Sequence, residues 1–291
     1  MANPNRRPNS LHSSYSEAMQ AAFFDLDKTV IAKASVAAFG PTLYRQGLIS
    51  RRILIRVAVA QLIFLQLGAD HNRLEKMRRS LLTLTRGWER DKVERIVRET
   101  LTQVVEPIIY REALELIEEH QAAGRRVVII SSSPEEIVKP LAEFLGADDA
   151  IATRASLDAD GRYTGELEFY AYGHAKAEAM QAAAKEHGID LSESYAYSDS
   201  HTDVPMLEAV GHPVAVNPDK ELMREARAHK WPIVQFLHPM PLRDQKVRKR
   251  MRLATGLIGA SVLGASGLAV GYWRLNRKTR LVSDHLRRLG L

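Results

Sequence analysis

The run Ala21-Ala22-Phe23-Phe24 is apolar without interruption, and the next residues set Asp25 and Asp27 one position apart. A short continuous apolar run predicts a buried strand, with the polar residues in the loop after it. The same rhythm recurs along the chain. Arg126 to Ile130 (RVVII) enters Ser131-Ser132-Ser133-Pro134, where a helix is expected to start near Pro134. Ser194 to Ser198 (SYAYS) predicts another strand, followed by Asp199, Asp203 and a short helix over 204–209; Pro213 to Val216 closes the series. Helical patterns separate these strands: Glu112 to Ala123, amphipathic and stopped by Gly124, and Lys176 to His187, stopped by Gly188. Asp158 to Arg162 (DADGR) predicts a hairpin turn between two short strands, a small flap.

Strands alternating with helices predict an α/β fold with a doubly wound parallel, Rossmann-like sheet. Ligands in such sheets bind beyond the carboxyl ends of the strands, and each polar cluster above falls at such an end. Residues 35–109 hold almost only helical patterns, among them Arg51 to Leu67, Asn72 to Thr85 and Arg90 to Val105, and predict a helical insert. The expected organisation is a disordered segment over 1–20, a core formed by 21–34 and 110–242, the insert over 35–109, and a tail over 243–291.

Charge changes the picture of the tail. Of 41 Lys and Arg, twelve lie in 243–291 with two of the 35 Asp and Glu, leaving 29 basic and 33 acidic side chains elsewhere. The body is therefore mildly acidic, which argues against a nucleic-acid partner. The absence of cysteine excludes disulfides and thiolate metal sites. The polar N-terminus has no apolar core of a secretory signal, so the body is expected in the cytoplasm.

Leu253 to Trp273 runs twenty-one residues without a charge, long enough to span a bilayer, and six basic residues precede it in 243–252. Gly267 and Gly271 form a GxxxG that permits close pairing of two such helices, a possible route to a homodimer. Arg274, Arg277, Lys278 and Arg280 follow it and oppose crossing, so a surface-lying helix on anionic lipid is the alternative to a span. Attachment to the cell membrane, by a span or a surface helix, is the expectation, with a helix buried on the domain as the competing reading.

In an extended segment, side chains two apart face the same way, so Asp25 and Asp27 can share a pocket. Two such carboxylates are tolerable beside a cation, and their oxygens suit Mg²⁺. Four motifs stand in order: Asp25-Leu-Asp27-Lys-Thr29, Val127-Val-Ile-Ile-Ser131, Lys176, and Asp199-Ser-His-Thr-Asp203. Over residues 20–220 the chain resembles the haloacid dehalogenase superfamily, in particular the phosphoserine-phosphatase-like hydrolases with a helical cap inserted after the first strand.

The resemblance implies a Mg²⁺-dependent phosphomonoesterase. Asp25 would be the nucleophile that forms an aspartyl phosphate, and Asp27 the acid and base. Asp25, Asp199 and Asp27, the last through its backbone carbonyl, would hold Mg²⁺. Ser131 and Lys176 would bind the phosphate, Asp203 would orient Lys176 or a metal-bound water, and Thr29 would help fix the loop. Ser133 competes with Ser131 for its role. From the residues alone, Lys176 also reads as an exposed helix residue and Asp203 as a helix cap.

Relatives that act on phosphoserine carry an acidic residue nine positions after the nucleophile. Ala34 stands there, and residues 28–69 contain no Asp or Glu. The substrate is thus expected to be a small phosphomonoester other than phosphoserine, or a lipid phosphate. A phosphoserine phosphatase and a non-catalytic membrane-bound regulator are the alternatives.

Overall fold

The computed structural model describes residues 19–50 and 82–239. The apolar stretch 253–273, residues 51–81 of the insert and the first eighteen residues lie outside the described residues. Among the described residues no helix is long and apolar enough to cross a membrane.

Seven strands form one sheet: β1 (Ala21–Phe24), β2 (Arg126–Pro134), β3 (Asp149–Leu157), β4 (Tyr163–Phe169), β5 (Tyr195–Ser198), β6 (His212–Val216) and β7 (Ile233–Val234). Their spatial order is β4-β3-β2-β1-β5-β6-β7. All neighbours pair in parallel except β3 and β4. Strand β1 lies between β2 and β5, with Phe24 level with both Ile129 and Tyr197. The carboxyl ends of three separate segments are thereby set side by side.

The uninterrupted apolar runs follow from burial on both faces. Ala22, Phe24, Val127 and Ile129 face one core, which is shared with α2 (Arg90–Val105), α3 (Arg111–Ala122) and α4 (Glu135–Leu145). Ala21, Phe23, Val128 and Ile130 face the other, filled by α5 (His174–His187), α6 (Val204–Glu208) and α7 (Lys220–His229). Helix α1 (Ser35–Arg45) enters the insert and buries Phe39 in the first of these cores. Helix α2 buries Val97, Leu101 and Val105 in that same core, so the end of the insert packs directly on the sheet's helical layer.

Three features depart from the sequence expectation. The flap is an extension of the main sheet: β3 pairs in parallel with β2 through Thr153 and antiparallel with β4 from Arg154 onward. Its turn is held by Asp158 Oδ1, which accepts the N–H groups of Asp160 and Arg162. Strand β2 continues through the three serines to Pro134, while the helix begins at Glu135, as expected. The series also continues past Val216 into α7 and β7. Helix α7, which buries Leu222 and Ala226, lies beyond the series traced in the sequence. It is started by Asp219, whose carboxylate accepts the N–H groups of Glu221 and Leu222.

His120 lies inside the first core, 4% exposed, with Nε2 2.7 Å from the Tyr197 hydroxyl. The Tyr197 ring stacks on Phe24 at 4.4 Å. Burial, aided by the nearby Arg125 guanidinium, pushes the imidazole pKa down to about 3. Below the unfolded value near 6.5, the unfolded chain binds a proton that the folded chain refuses, so stability falls as pH falls. The stability advantage of wild type over His120→Gln, measured by urea unfolding, should therefore shrink by about 2 kcal/mol between pH 7 and pH 5. An advantage that stays constant across that interval would show that His120 is not held neutral.

Candidate active site

The Asp25 N–H donates to the Tyr197 carbonyl at 2.9 Å, so Asp25 prolongs β1 by one paired residue before the chain turns. The turn is tight: Lys28 N–H donates to the Ile31 carbonyl, and the N–H groups of Val30 and Ile31 both reach the Leu26 carbonyl. Lys28 adopts φ 66°, a left-handed conformation that lysine rarely takes. Leu26, Val30 and Ile31 are buried beneath the turn, and that anchoring offsets the local strain. Thr29 is fully buried in the same turn, with its hydroxyl oxygen unpartnered among the described residues.

Lys176 stands in the first turn of α5, after Gly173, and is only 2% exposed. Its Nζ donates to Asp25 Oδ1 at 2.7 Å and to Asp203 Oδ2 at 2.7 Å. Asp203 Oδ2 also accepts the Ser198 hydroxyl at 2.6 Å. Asp203 occupies the N-cap position of α6, yet its side chain caps nothing there and turns to Lys176 and Ser198. Burial works against the Lys176 ammonium, but Asp203 and Asp25 outweigh it and raise its pKa. Burial pushes Asp25 upward, opposed by Lys176 and reinforced by Asp203 and Asp199.

Asp27 points to a different set of groups. Its Oδ1 accepts the Ser35 N–H at 2.8 Å, and its Oδ2 accepts the Ser133 hydroxyl at 2.9 Å. Ser133 in turn accepts the Ser35 hydroxyl at 2.8 Å. Burial raises the Asp27 pKa while Ser35 and Ser133 pull it back toward the ionised form. Ser131 is 1% exposed, and its Oγ accepts the Ser133 N–H at 3.2 Å. The two serines that competed in the sequence thus sit together, with only Ser133 bonded to Asp27.

Asp199 follows β5 and lies 3.9 Å from Lys28 Nζ, a mostly exposed ammonium. Burial pushes its carboxyl up to about 7, with Lys28 pulling the other way. Its carbonyl accepts the Asp219 N–H, which ties the loop to the start of α7.

The pocket therefore gathers Asp25, Asp199 and Asp203, all less than a tenth exposed, against one buried ammonium. Such a donor set is short of positive charge and made of hard oxygens. Mg²⁺ fits it, because this ion typically takes one or two carboxylates and completes its shell with water and substrate phosphate. Among the described residues no group of three or more His, Asp or Glu side chains is arranged to hold a metal ion by itself. Asp25 and Asp199 are the available carboxylates; Asp27, whose side-chain oxygens are both engaged, has its backbone carbonyl to offer.

Two contributors were not singled out from the sequence. Ser198 closes the Asp203 carboxylate from behind, and Ser35 supplies both an N–H and a hydroxyl to the Asp27 network. A serine at a strand end or a helix start has many ordinary uses, so only the spatial partners mark these two.

Comparison with known proteins places this geometry. A family model described as haloacid dehalogenase-like hydrolase matches residues 22–208. A Streptomyces azureus protein named "Inhibition of morphological differentiation protein" is 51% identical over 259 residues, 89% of this chain and 94% of the relative. A Mycobacterium tuberculosis protein named a "probable phosphatase" is 47% identical over 254 residues, 87% of each chain. The phosphoserine phosphatase SerB1 of the same species is 33% identical over 262 residues, 89% of this chain and 82% of the relative. Among solved structures, a Bordetella pertussis protein of unknown function superposes with a TM-score of 0.65 at 26% identity, covering 75% of this chain and 98% of its own. The chain belongs to the haloacid dehalogenase-like hydrolases and is one of their phosphatases.

Proposed function

We propose that this phosphatase is a Mg²⁺-dependent phosphomonoesterase that works through an aspartyl phosphate on Asp25. The observation that carries the reading is the buried Lys176 ammonium bonded to Asp25 and Asp203 at 2.7 Å each. With Oδ1 held there, Oδ2 is the oxygen left to attack phosphorus. The ammonium also lies where negative charge gathers on the transferred group. Ser131, two residues beyond Ile129 in the neighbouring strand, would donate to a phosphate oxygen.

Asp27 protonates the leaving oxygen as the ester bond breaks. It then takes a proton from the water whose oxygen displaces Asp25 from phosphorus. A carboxylate bonded to phosphorus cannot do this work, which accounts for the pair of aspartates. Mg²⁺ held by the Asp25 and Asp199 carboxylates and the Asp27 carbonyl would supply positive charge against the phosphate dianion. Residues 35–109 serve in this reading as the cap over the leaving group.

Asp25→Asn should lower phosphate release by at least about 10³-fold, and a chelator should abolish wild-type release until Mg²⁺ is restored. Comparable Mg²⁺-dependent turnover by both proteins would dismiss the mechanism.

The SerB1 relative favours phosphoserine as a second reading of the substrate. Against it, Ala34 is the N-cap residue of α1, and no carboxylate occurs between residues 28 and 69 to meet an ammonium group. In a panel that also contains lysophosphatidate and phosphatidylglycerophosphate, phosphoserine should be among the poorer substrates. Its turnover far above every other ester would overturn the specificity argument.

Attachment to the membrane through 253–273 rests on the sequence of that segment. Removal of residues 243–291 should move the protein from the membrane fraction to the supernatant. An unchanged distribution would remove the tether from the proposal.

A further inference from the structure

Ser35, Ser133 and Asp27 form a directed chain of hydrogen bonds. The Ser35 hydroxyl donates to Ser133 Oγ at 2.8 Å, and the Ser133 hydroxyl donates to Asp27 Oδ2 at 2.9 Å. The Ser35 N–H closes the ring by donating to Asp27 Oδ1 at 2.8 Å. Ser35 is fully buried and Ser133 is 5% exposed, so water does not replace these donors easily. Each Asp27 oxygen is thus fixed by a donor from a different element: the first residue of α1 and the end of β2.

General acid catalysis depends on the direction in which the proton is presented, and a carboxyl rotated away from the leaving oxygen loses rate without losing substrate. We propose that Ser133, supported by Ser35, is a positioning residue that orients Asp27 toward the leaving-group oxygen. The inference rests on the assignment of Asp27 as the acid. It differs from a phosphate contact by Ser133, because the hydroxyl proton is directed at Asp27. It also makes the start of the insert part of the chemistry, since a shift of α1 withdraws two of the three donors in the ring.

The test compares two esters that share the phosphoryl group and differ in how much their leaving oxygen needs a proton. The oxygen of 4-nitrophenyl phosphate departs readily as an anion, whereas that of benzyl phosphate departs as an alkoxide that must be protonated. The readout is the ratio of kcat/KM for the first ester to that for the second, because kcat/KM reports steps up to the formation of the aspartyl phosphate. Asp27→Asn sets the upper reference for this ratio. Ser133→Ala should raise it by about tenfold and Ser35→Ala by about threefold, a small part of the 10²–10⁴-fold that a general acid supplies.

Thermal unfolding checks that each variant is folded. Ser35→Ala deletes only a hydroxyl whose hydrogen bond goes to Ser133, which keeps the question answerable if Ser133→Ala unfolds. Equal losses on both esters would overturn the proposal, since a phosphate contact or a general structural defect lowers both alike. A ratio unchanged in the serine variants but raised in Asp27→Asn would also overturn it while leaving the phosphatase reading intact. Absence of phosphate release from either ester by wild type would remove the phosphatase reading itself, and this role with it.

Discussion

An ammonium group buried to 2% exposure is the interaction on which the site depends. An unpaired charge in that position would cost several kcal/mol of lost hydration and would shed its proton instead. Lys176 keeps it because Asp25 and Asp203 both lie 2.7 Å away, and Ser198 satisfies a further lone pair of Asp203. Loss of any one member leaves the others buried without compensation. The arrangement also sets three carboxylates around one buried ammonium, with the exposed Lys28 3.9 Å from Asp199. That imbalance favours an incoming metal ion, and it holds the lysine in its charged form before a substrate arrives. Fixing such charges in advance is what makes them effective on a transition state.

The parallel sheet is what allows segments far apart in the chain to build this pocket. Phe24 is level with Ile129 on one side and Tyr197 on the other, so Asp25 emerges between the ends of β2 and β5. Ser131 and Asp199 follow within one or two residues of those levels. An antiparallel neighbour would have put its opposite end at this edge. Helices α5 and α6 then deliver Lys176 and Asp203 from the second core, while α1 delivers Ser35 from the side of the first. The pocket is therefore assembled from both helical layers and the sheet between them.

The strands and their polar ends were legible because a run buried on both faces needs uninterrupted apolar residues, and loops do not. Asp25, Asp27 and Asp199 could be read for the same reason. What spacing did not disclose was environment. Nothing local distinguishes Lys176 from an exposed helical lysine, or Asp203 from a helix cap; only a fold 151 residues across the chain brings Lys176 to Asp25. The double pairing of β3 was hidden because one strand serves two neighbours in succession. Helix α7 lies past Val216, where the alternating series read from the sequence was closed. Ser35 and Ser198 were hidden because their significance lies wholly in which carboxylate they meet.

The loop from Asp25 to Ser35 shows how structure and chemistry share the same atoms. Helix α1 has no side-chain cap of its own: Ala34 occupies the N-cap position and can accept no hydrogen bond through its side chain. The N–H of the following residue would otherwise be an unsatisfied donor, and it finds the Asp27 carboxylate instead. Asp27 therefore does for the insert what a capping residue does for an ordinary helix, while its other oxygen is held by Ser133. An acidic residue at position 34 would bring a second negative charge to this helix start. The alanine there both removes the counter-charge for a cationic leaving group and leaves Asp27 as the acidic partner of the helix start. In the proposed mechanism, that one difference from the phosphoserine pattern bears on substrate choice and on the surroundings of the acid together.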